Sequence, residues 1–201
     1  MDESRRERKK RQTRQLIAEA AIRLFGEQGY EQTTVAQIAA AADVATKTFF
    51  NHFPSKEDVL FADTRERNAV LLEVLAGRRP GESLPDLLTR MYDRLLADYL
   101  VAGADDPELM ETYTRLVMTV PALQAKALHM MFELQKEMAA VLVKVYPDDL
   151  DPVAAAAAVG SVIGAVQGAA LASMDLGEPE ERFWVSMRRG FDLALRALRA
   201  P

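Results

Sequence analysis

The 201-residue chain is 49% hydrophobic and 27% charged, a balance typical of a soluble globular protein with room for one or two cores. It has no cysteine, and its two histidines, His52 and His129, are far apart. Disulfides, thiolate metal sites and a local histidine ligand pair are therefore excluded, and neither metal nor cofactor is expected. The net charge of −5 is unevenly divided, with ten basic and seven acidic residues in 1–56 and a net −8 on the rest. A basic head on an acidic body suits a protein that presents one end to phosphates.

Apolar residues recur at spacings of three and four and never alternate over a strand-length window, so the expected fold is all-α. No apolar run reaches the ~20 residues that cross a bilayer. The N-terminus mixes both charge signs instead of following a short basic patch with an apolar stretch. No secretory signal and no membrane are expected, and the location implied is the cytoplasm.

The first helix begins in the basic run Arg5, Arg6, Arg8, Lys9, Lys10, Arg11. Its apolar face is read as Leu16, Ile17, Ala20, Ala21, Leu24 and Phe25, with Gly26 and Gly29 ending it. Thr34 and Gln37 have the spacing of a capping box. Two short helices follow, near 35–41 and 46–52, and the pattern is that of a helix-turn-helix. Ser55, followed by Glu57 and Asp58, reads as the start of a helix running to Ala76 and stopped by Gly77 and Pro80. Five later prolines each follow a capping residue, at Pro85, Pro107, Pro121, Pro152 and Pro179. A proline in a first turn loses no hydrogen bond. Five more helices are therefore expected, near 84–102, 107–118, 121–146, 152–176 and 179–199, about nine in all.

In the 34–53 stretch, Val35, Ile38 and Ala39 stripe the first short helix, Val44 anchors the turn, and Phe49 and Phe53 stripe the second. Thr46, Lys47, Thr48, Phe50, Asn51 and His52 remain for an outer face. A helix fits the major groove and reads base edges with its N-terminal side chains. Lys47 suits guanine acceptors, and the methyls of Thr46 and Thr48 suit thymine methyls. Asn51, His52 and Lys56 suit flanking phosphates. The Arg5–Arg11 run can add affinity that depends on salt and not on sequence.

At this point the sequence resembles the TetR family of transcriptional regulators. The resemblance covers residues 14–62 and rests on Ile17, Ala20, Ala21, Leu24, Phe25, Gly29, Tyr30, Thr33-Thr34-Val35, Ile38-Ala39 and the block Phe49-Phe50-Asn51-His52-Phe53-Pro54-Ser55-Lys56-Glu57. It implies that Thr34, Thr46, Lys47, Thr48, Phe50, His52 and Lys56 are the DNA-contacting positions. Three residues depart from the family pattern. Ala45 stands where a capping serine is usual, Asp43 replaces the turn glycine, and Phe50 stands where tyrosine is frequent.

The domain division expected is 1–54 for the three-helix DNA-binding head and 55–201 for a helical effector-binding and dimerisation domain. Gly160, Gly164 and Gly168 leave one helical face nearly bare, which fits close approach of another helix, in a second copy or in the same chain. The facing stripe is read as Trp184, Met187, Phe191, Leu195 and Leu198, and the resemblance favours a homodimer. A pocket for a small-molecule effector is also implied by the resemblance. Its candidates are Met91, Leu95, Tyr99, Met110, Tyr113, Met118, Phe132 and Gln167, where Met adapts to irregular space and Tyr or Gln offers a polar handle. The expected partners are double-stranded operator DNA, a second copy and an effector. An activator, or a regulator without a ligand, would carry the same features. No phosphate loop or nucleophile motif supports an enzyme, and no catalytic residue is expected.

Overall fold

The structure, a computed structural model, describes residues 5–199, with the side chains of 98–105, 107, 180, 181 and 199 outside that description. Among the described residues there are nine helices and no strand: α1 (Arg5–Gln28), α2 (Val35–Ala41), α3 (Thr46–His52), α4 (Thr64–Ala76), α5 (Leu84–Asp105), α6 (Pro107–Thr119), α7 (Pro121–Val145), α8 (Pro152–Asp175) and α9 (Glu180–Arg199). The proline signals work as expected. Asp106 and Asp151 each cap a helix whose first residue is proline.

The contacts form two compact units, one containing the chain up to Asn68 with Leu96–Met130, the other containing Ala69–Leu95 and everything from Met131. This grouping differs from the boundary expected at 54/55, and the reason is hydrophobic. Val59 and Leu60, with Leu116 of α6 and Leu123 of α7, share one core with Ile17, Phe25, Ile38, Phe49 and Phe53.

The first unit is built on α1, which buries Ile17, Ala18, Ala21, Ile22 and Phe25. That face is rotated from the one expected, for Leu16 is 55% exposed. Gly26 does not end the helix, which runs to Gln28 before Gly29 turns into the left-handed region at φ 90°. Gly26 is where α6 passes α1, since a Cβ there would stand 2.8 Å from Thr112 Cγ2.

The helix expected from Ser55 to Ala76 is broken. A single 3-10 turn, Glu57–Val59, comes first and α4 starts only at Thr64. Val59, Leu60, Phe61 and Ala62 are four consecutive buried residues. An α-helix presents about two of any four neighbours to one side, whereas the i→i+3 bonds of Phe61 to Asp58, Ala62 to Val59 and Thr64 to Phe61 turn all four inward.

In the second unit α8 and α9 make the most extensive helix pairing. Their close approach is at Gly190, where a Cβ would lie 2.5 Å from the Ala165 carbonyl oxygen and 2.8 Å from Ala169 Cβ. Among the described residues nothing lies within 4 Å of a Cβ position at Gly160, Gly164 or Gly168, which speaks against the intrachain reading of that stripe. The α4–α5 connection is held by Glu82, which takes a bidentate grip from Arg90 at 2.9 and 3.0 Å and the Arg79 N–H at 2.9 Å. These hydrogen bonds from Arg90 and Arg79 outweigh the cost of burial and hold the Glu82 carboxyl at about 2.

Close packing at a backbone oxygen leaves no room for an added methyl. Gly190→Ala is expected to lower stability by about 1–3 kcal/mol, measured as a lower urea midpoint with an unchanged slope.

Candidate nucleic-acid interface

Helix α3, which carries the residues expected to read DNA, has only seven residues, too few to be stable alone. Its orientation is imposed by its neighbours. Thr34 caps α2 in a complete capping box, accepting from Gln37 N at 3.3 Å while Gln37 Oε1 accepts from Thr34 N at 2.8 Å. The chain then reverses through Asp43, at φ 52° the positive-φ non-glycine residue among those described. Asparagine and aspartate tolerate that region better than other side chains. Val44 N bonds back to Ala39 O at 2.9 Å and closes the turn.

Phe49 and Phe53 are completely buried, with ring centroids 5.8 Å apart, and anchor one side of α3. The opposite side presents Thr46, Lys47, Phe50 and Asn51, all exposed and spaced so that they share one helical face. Thr48 and His52 are half-buried beside them, and Thr34 is exposed at the start of α2. Phe50 is 54% exposed, an apolar ring with no hydroxyl to offer a phosphate. Ala45 is an N-cap in extended conformation with no side-chain hydrogen bond, as its sequence predicts.

One sequence-derived role changes. The Lys56 ammonium donates to the Tyr30 carbonyl at 3.0 Å and lies 4.0 Å over the Tyr30 ring, so it braces the α1–α2 turn instead of standing free for a phosphate. The Tyr30 hydroxyl in turn donates to Glu57. Burial and this bond push the Tyr30 phenol up. Burial alone would raise Glu57, but hydrogen bonds from Ser55 and Tyr30 outweigh it and hold its carboxyl below the ordinary range. His52 is pushed down by burial, with the cations of Arg14 and Lys10 adding to the effect, so the imidazole is neutral near pH 7.

The residue that the sequence reading passed over is Arg14. Its guanidinium donates to His52 O at 2.6 Å and to Ala62 O at 3.2 and 3.1 Å, and it lies 4.2 Å over the Phe53 ring. It therefore ties α1 to the C-terminal end of α3 and to the segment before α4. A signal was available: Arg14 stands one turn before Ile17 and Ala18, in register with the buried face.

The chain carries a tetR-family domain. Residues 17–62 match the family model described as bacterial regulatory proteins, tetR family. Over 149 residues the chain is 35% identical to the HTH-type transcriptional regulator TcmR of Streptomyces glaucescens, an alignment covering 73% of this chain and 66% of that protein. Over 75 residues it is 37% identical to the HTH-type transcriptional repressor AcnR of Corynebacterium diphtheriae, covering 37% of this chain and 40% of AcnR. The matches thus span just under two thirds of TcmR and less than half of AcnR. The fold is that of SmeT, the repressor of the Stenotrophomonas maltophilia multidrug efflux pump SmeDEF, with TM-score 0.61, 17% identity and coverage of 92% of this chain and 89% of SmeT. TetR-family proteins are DNA-binding transcriptional regulators and not enzymes, and the matched residues are those of the helix-turn-helix.

The remaining sequence-derived sites fall in both units. Met110 and Tyr113 line a cleft of about 230 Å³ in the first unit, and Met118 is half-buried there. In the second unit Met91 is buried, Leu95 is half-buried, Phe132 is 51% exposed and Gln167 is exposed. Phe132 and Gln167 therefore do not line an interior pocket, because each sits on an outward helical face. Tyr99 lies outside the described residues.

In the expected dimer stripe, Phe191 and Leu195 are buried in their own chain, with Phe191 stacked on Tyr92 at 4.2 Å. They are not available to a second copy, since the apolar face of α9 is spent on α8 and α5. Trp184, Met187 and Leu198 are half-buried, and Gly164 and Gly168 are exposed, with Gly160 half-covered. The expectation of no membrane-length run also needs correcting. By length and composition α8 is long and apolar enough to cross a bilayer, with mean hydropathy 1.7.

The missing cap offers a test. The backbone of residue 45 is already in cap geometry, at φ −70° and ψ 147°. Ala45→Ser supplies the absent acceptor and is expected to raise stability by about 1 kcal/mol, seen as a higher urea midpoint.

Proposed function

We propose that this chain is a homodimeric transcriptional repressor that reads operator DNA with α3 and is released by a small molecule bound in its helical body. The observation that carries the DNA reading is the shared outer face of Thr46, Lys47, Phe50 and Asn51 on a short helix held at its C-terminal end and along its buried side. In the major groove Lys47 donates to guanine acceptors, while the Thr46 methyl and the Phe50 ring meet thymine methyls. Asn51, the neutral His52 and the capped start of α2 at Thr34 face the backbone, and the exposed basic turns of α1 add a salt-sensitive attraction. Residues 1–54 act as the reading head and 55–201 as the effector and dimerisation domain. AcnR is named a repressor, which supports repression over activation.

The dimer reading rests on α8. A helix that is apolar all round is covered on all sides, and α9 covers the side holding Ala155, Ala158, Val159 and Val162. The other side exposes Val153 by 78% and Leu171 by 43%, with Gly160 and Gly164 between them. Residues 153, 157, 160, 164, 167 and 171 alternate spacings of four and three, the seam of a helix pair. A second copy of α8 covers this seam, and we read its apolarity as that of a subunit interface in a cytoplasmic protein, not a membrane span. Two heads then sit about one DNA turn apart, ~34–36 Å. A ligand that favours another separation releases them by its differential affinity.

Fluorescence anisotropy with the DNA upstream of the chain's own gene tests the first part. Salt-sensitive binding should weaken by about a hundredfold in Lys47→Ala/Asn51→Ala, whereas absence of binding by the unaltered protein, or an unaffected variant, refutes α3 as the reader. Sedimentation tests the second. The unaltered chain should run as a dimer and Gly164→Leu as a folded monomer, and a persistent dimer refutes the α8 seam.

A further inference from the structure

The cleft in the first unit takes in Met110 and Tyr113 from the Met-rich pattern but not Phe132 or Gln167, and it has the form of a binding site. Its floor is apolar and buried, made by Ala18, Ile22, Val59 and Leu60. Its mouth is polar and open, with Gln15 and Asp63 exposed and Glu19 half-buried. The opening has a structural cause. α6 is held to α1 by the close approach at Gly26 and by the Arg23–Asp106 ion pair at 2.6 Å. Toward Gln15, some eleven residues or about 16 Å along the helix axis, Ala18 and Ala62 are too short to fill the gap between them. A volume of about 230 Å³ falls below the range of drug-sized ligands and suits one small aromatic ring system, single or fused, with a short tail.

The charges at the mouth define that tail. Asp106 is engaged by Arg23 and by capping Leu109 N. The Glu19 carboxylate is met by the neutral amide of Gln15 at 3.0 Å, and Asp63 stands at the solvent edge. The cation lining the cleft is Arg67, whose guanidinium bonds Thr64 Oγ1 at 3.3 Å. Besides Asp106, two carboxylates and one guanidinium therefore line a cleft with an apolar floor.

We propose that this cleft is a binding site for a small aromatic amine, with the ring on Ile22, Leu60 and Met110 and the ammonium between Glu19 and Asp63. The position has a consequence. Ala62 lines the cleft, and its carbonyl is held by the same guanidinium of Arg14 that holds the His52 carbonyl at the end of α3. An occupant bearing on Ala62 thus bears on the grip that orients α3. That consequence rests on α3 reading DNA, whereas binding in the cleft does not.

Titration calorimetry of the full chain without DNA separates the two, with tryptamine as the probe. Saturable binding is expected, about tenfold weaker in Glu19→Gln/Asp63→Asn and about tenfold weaker for the neutral 3-methylindole. Met110→Trp, which fills the cleft, should abolish it, and if that variant fails to fold the carboxylate variant carries the test. No saturable heat up to about 10 mM tryptamine, equal affinity in the carboxylate variant, or tighter binding of indole-3-acetate than of tryptamine would overturn the proposal. Loss of operator binding in a chain that still binds tryptamine would count against the reading of α3 and leave the cleft standing.

Discussion

A helix of seven residues has no intrinsic reason to hold its direction, because nucleating it costs more than two turns of hydrogen bonds return. In this chain the direction of α3 depends on one guanidinium. Arg14 bonds the last carbonyl of the helix, covers the ring of Phe53, and bonds the carbonyl of Ala62. The cation sits at the C-terminal end of α3, where the helix dipole favours it. Because Phe49 and Phe53 are buried beneath, the face carrying Thr46, Lys47, Phe50 and Asn51 points outward by elimination. The substitution of alanine for a capping residue at position 45 is tolerable for the same reason: a helix held at its far end and along one side needs less from its N-terminus.

Around this clamp the charged residues act mainly as braces. Lys56, Tyr30 and Glu57 form a chain from carbonyl to ammonium to ring to carboxylate that fixes the turn between α1 and α2. Lys126 reaches from α7 to Asp58 at 2.7 Å and pins the 57–59 turn. The residues closest to α7 and α6 are thus the residues that support α3, so the first unit joins α3 and parts of α6 and α7 in one core. A change at α6 has a short route to α3 through Ala62 and Arg14.

The glycines show how one residue type carries opposite meanings. Gly190 interrupts no visible pattern, yet it is where α9 lies against the backbone of α8. Gly160, Gly164 and Gly168 form an obvious periodic stripe, and among the described residues nothing would meet a Cβ added there. Periodicity says that a face is bare, but not which neighbour uses it. The same ambiguity misplaced Phe191 and Leu195, since an apolar stripe on an amphipathic helix looks alike whether it meets its own core or another copy.

The sequence alone determined the helical class, the count of the helices and most of their starts, the capping box at Thr34, the turn at Asp43 and the membership of Thr46–His52 in one short helix. These follow from local rules, namely side-chain spacing, the missing N–H of proline and side-chain capping, each acting within a few residues. Only the tertiary structure decided that Arg14 grips residues 38 and 48 positions away, that Lys56 turns inward, that 59–62 leave the helical path, and that the cleft lies beside Met110 and Tyr113 and not near Phe132 or Gln167. Those outcomes depend on which faces meet, and a contact between distant segments has no signature in the spacing of either one.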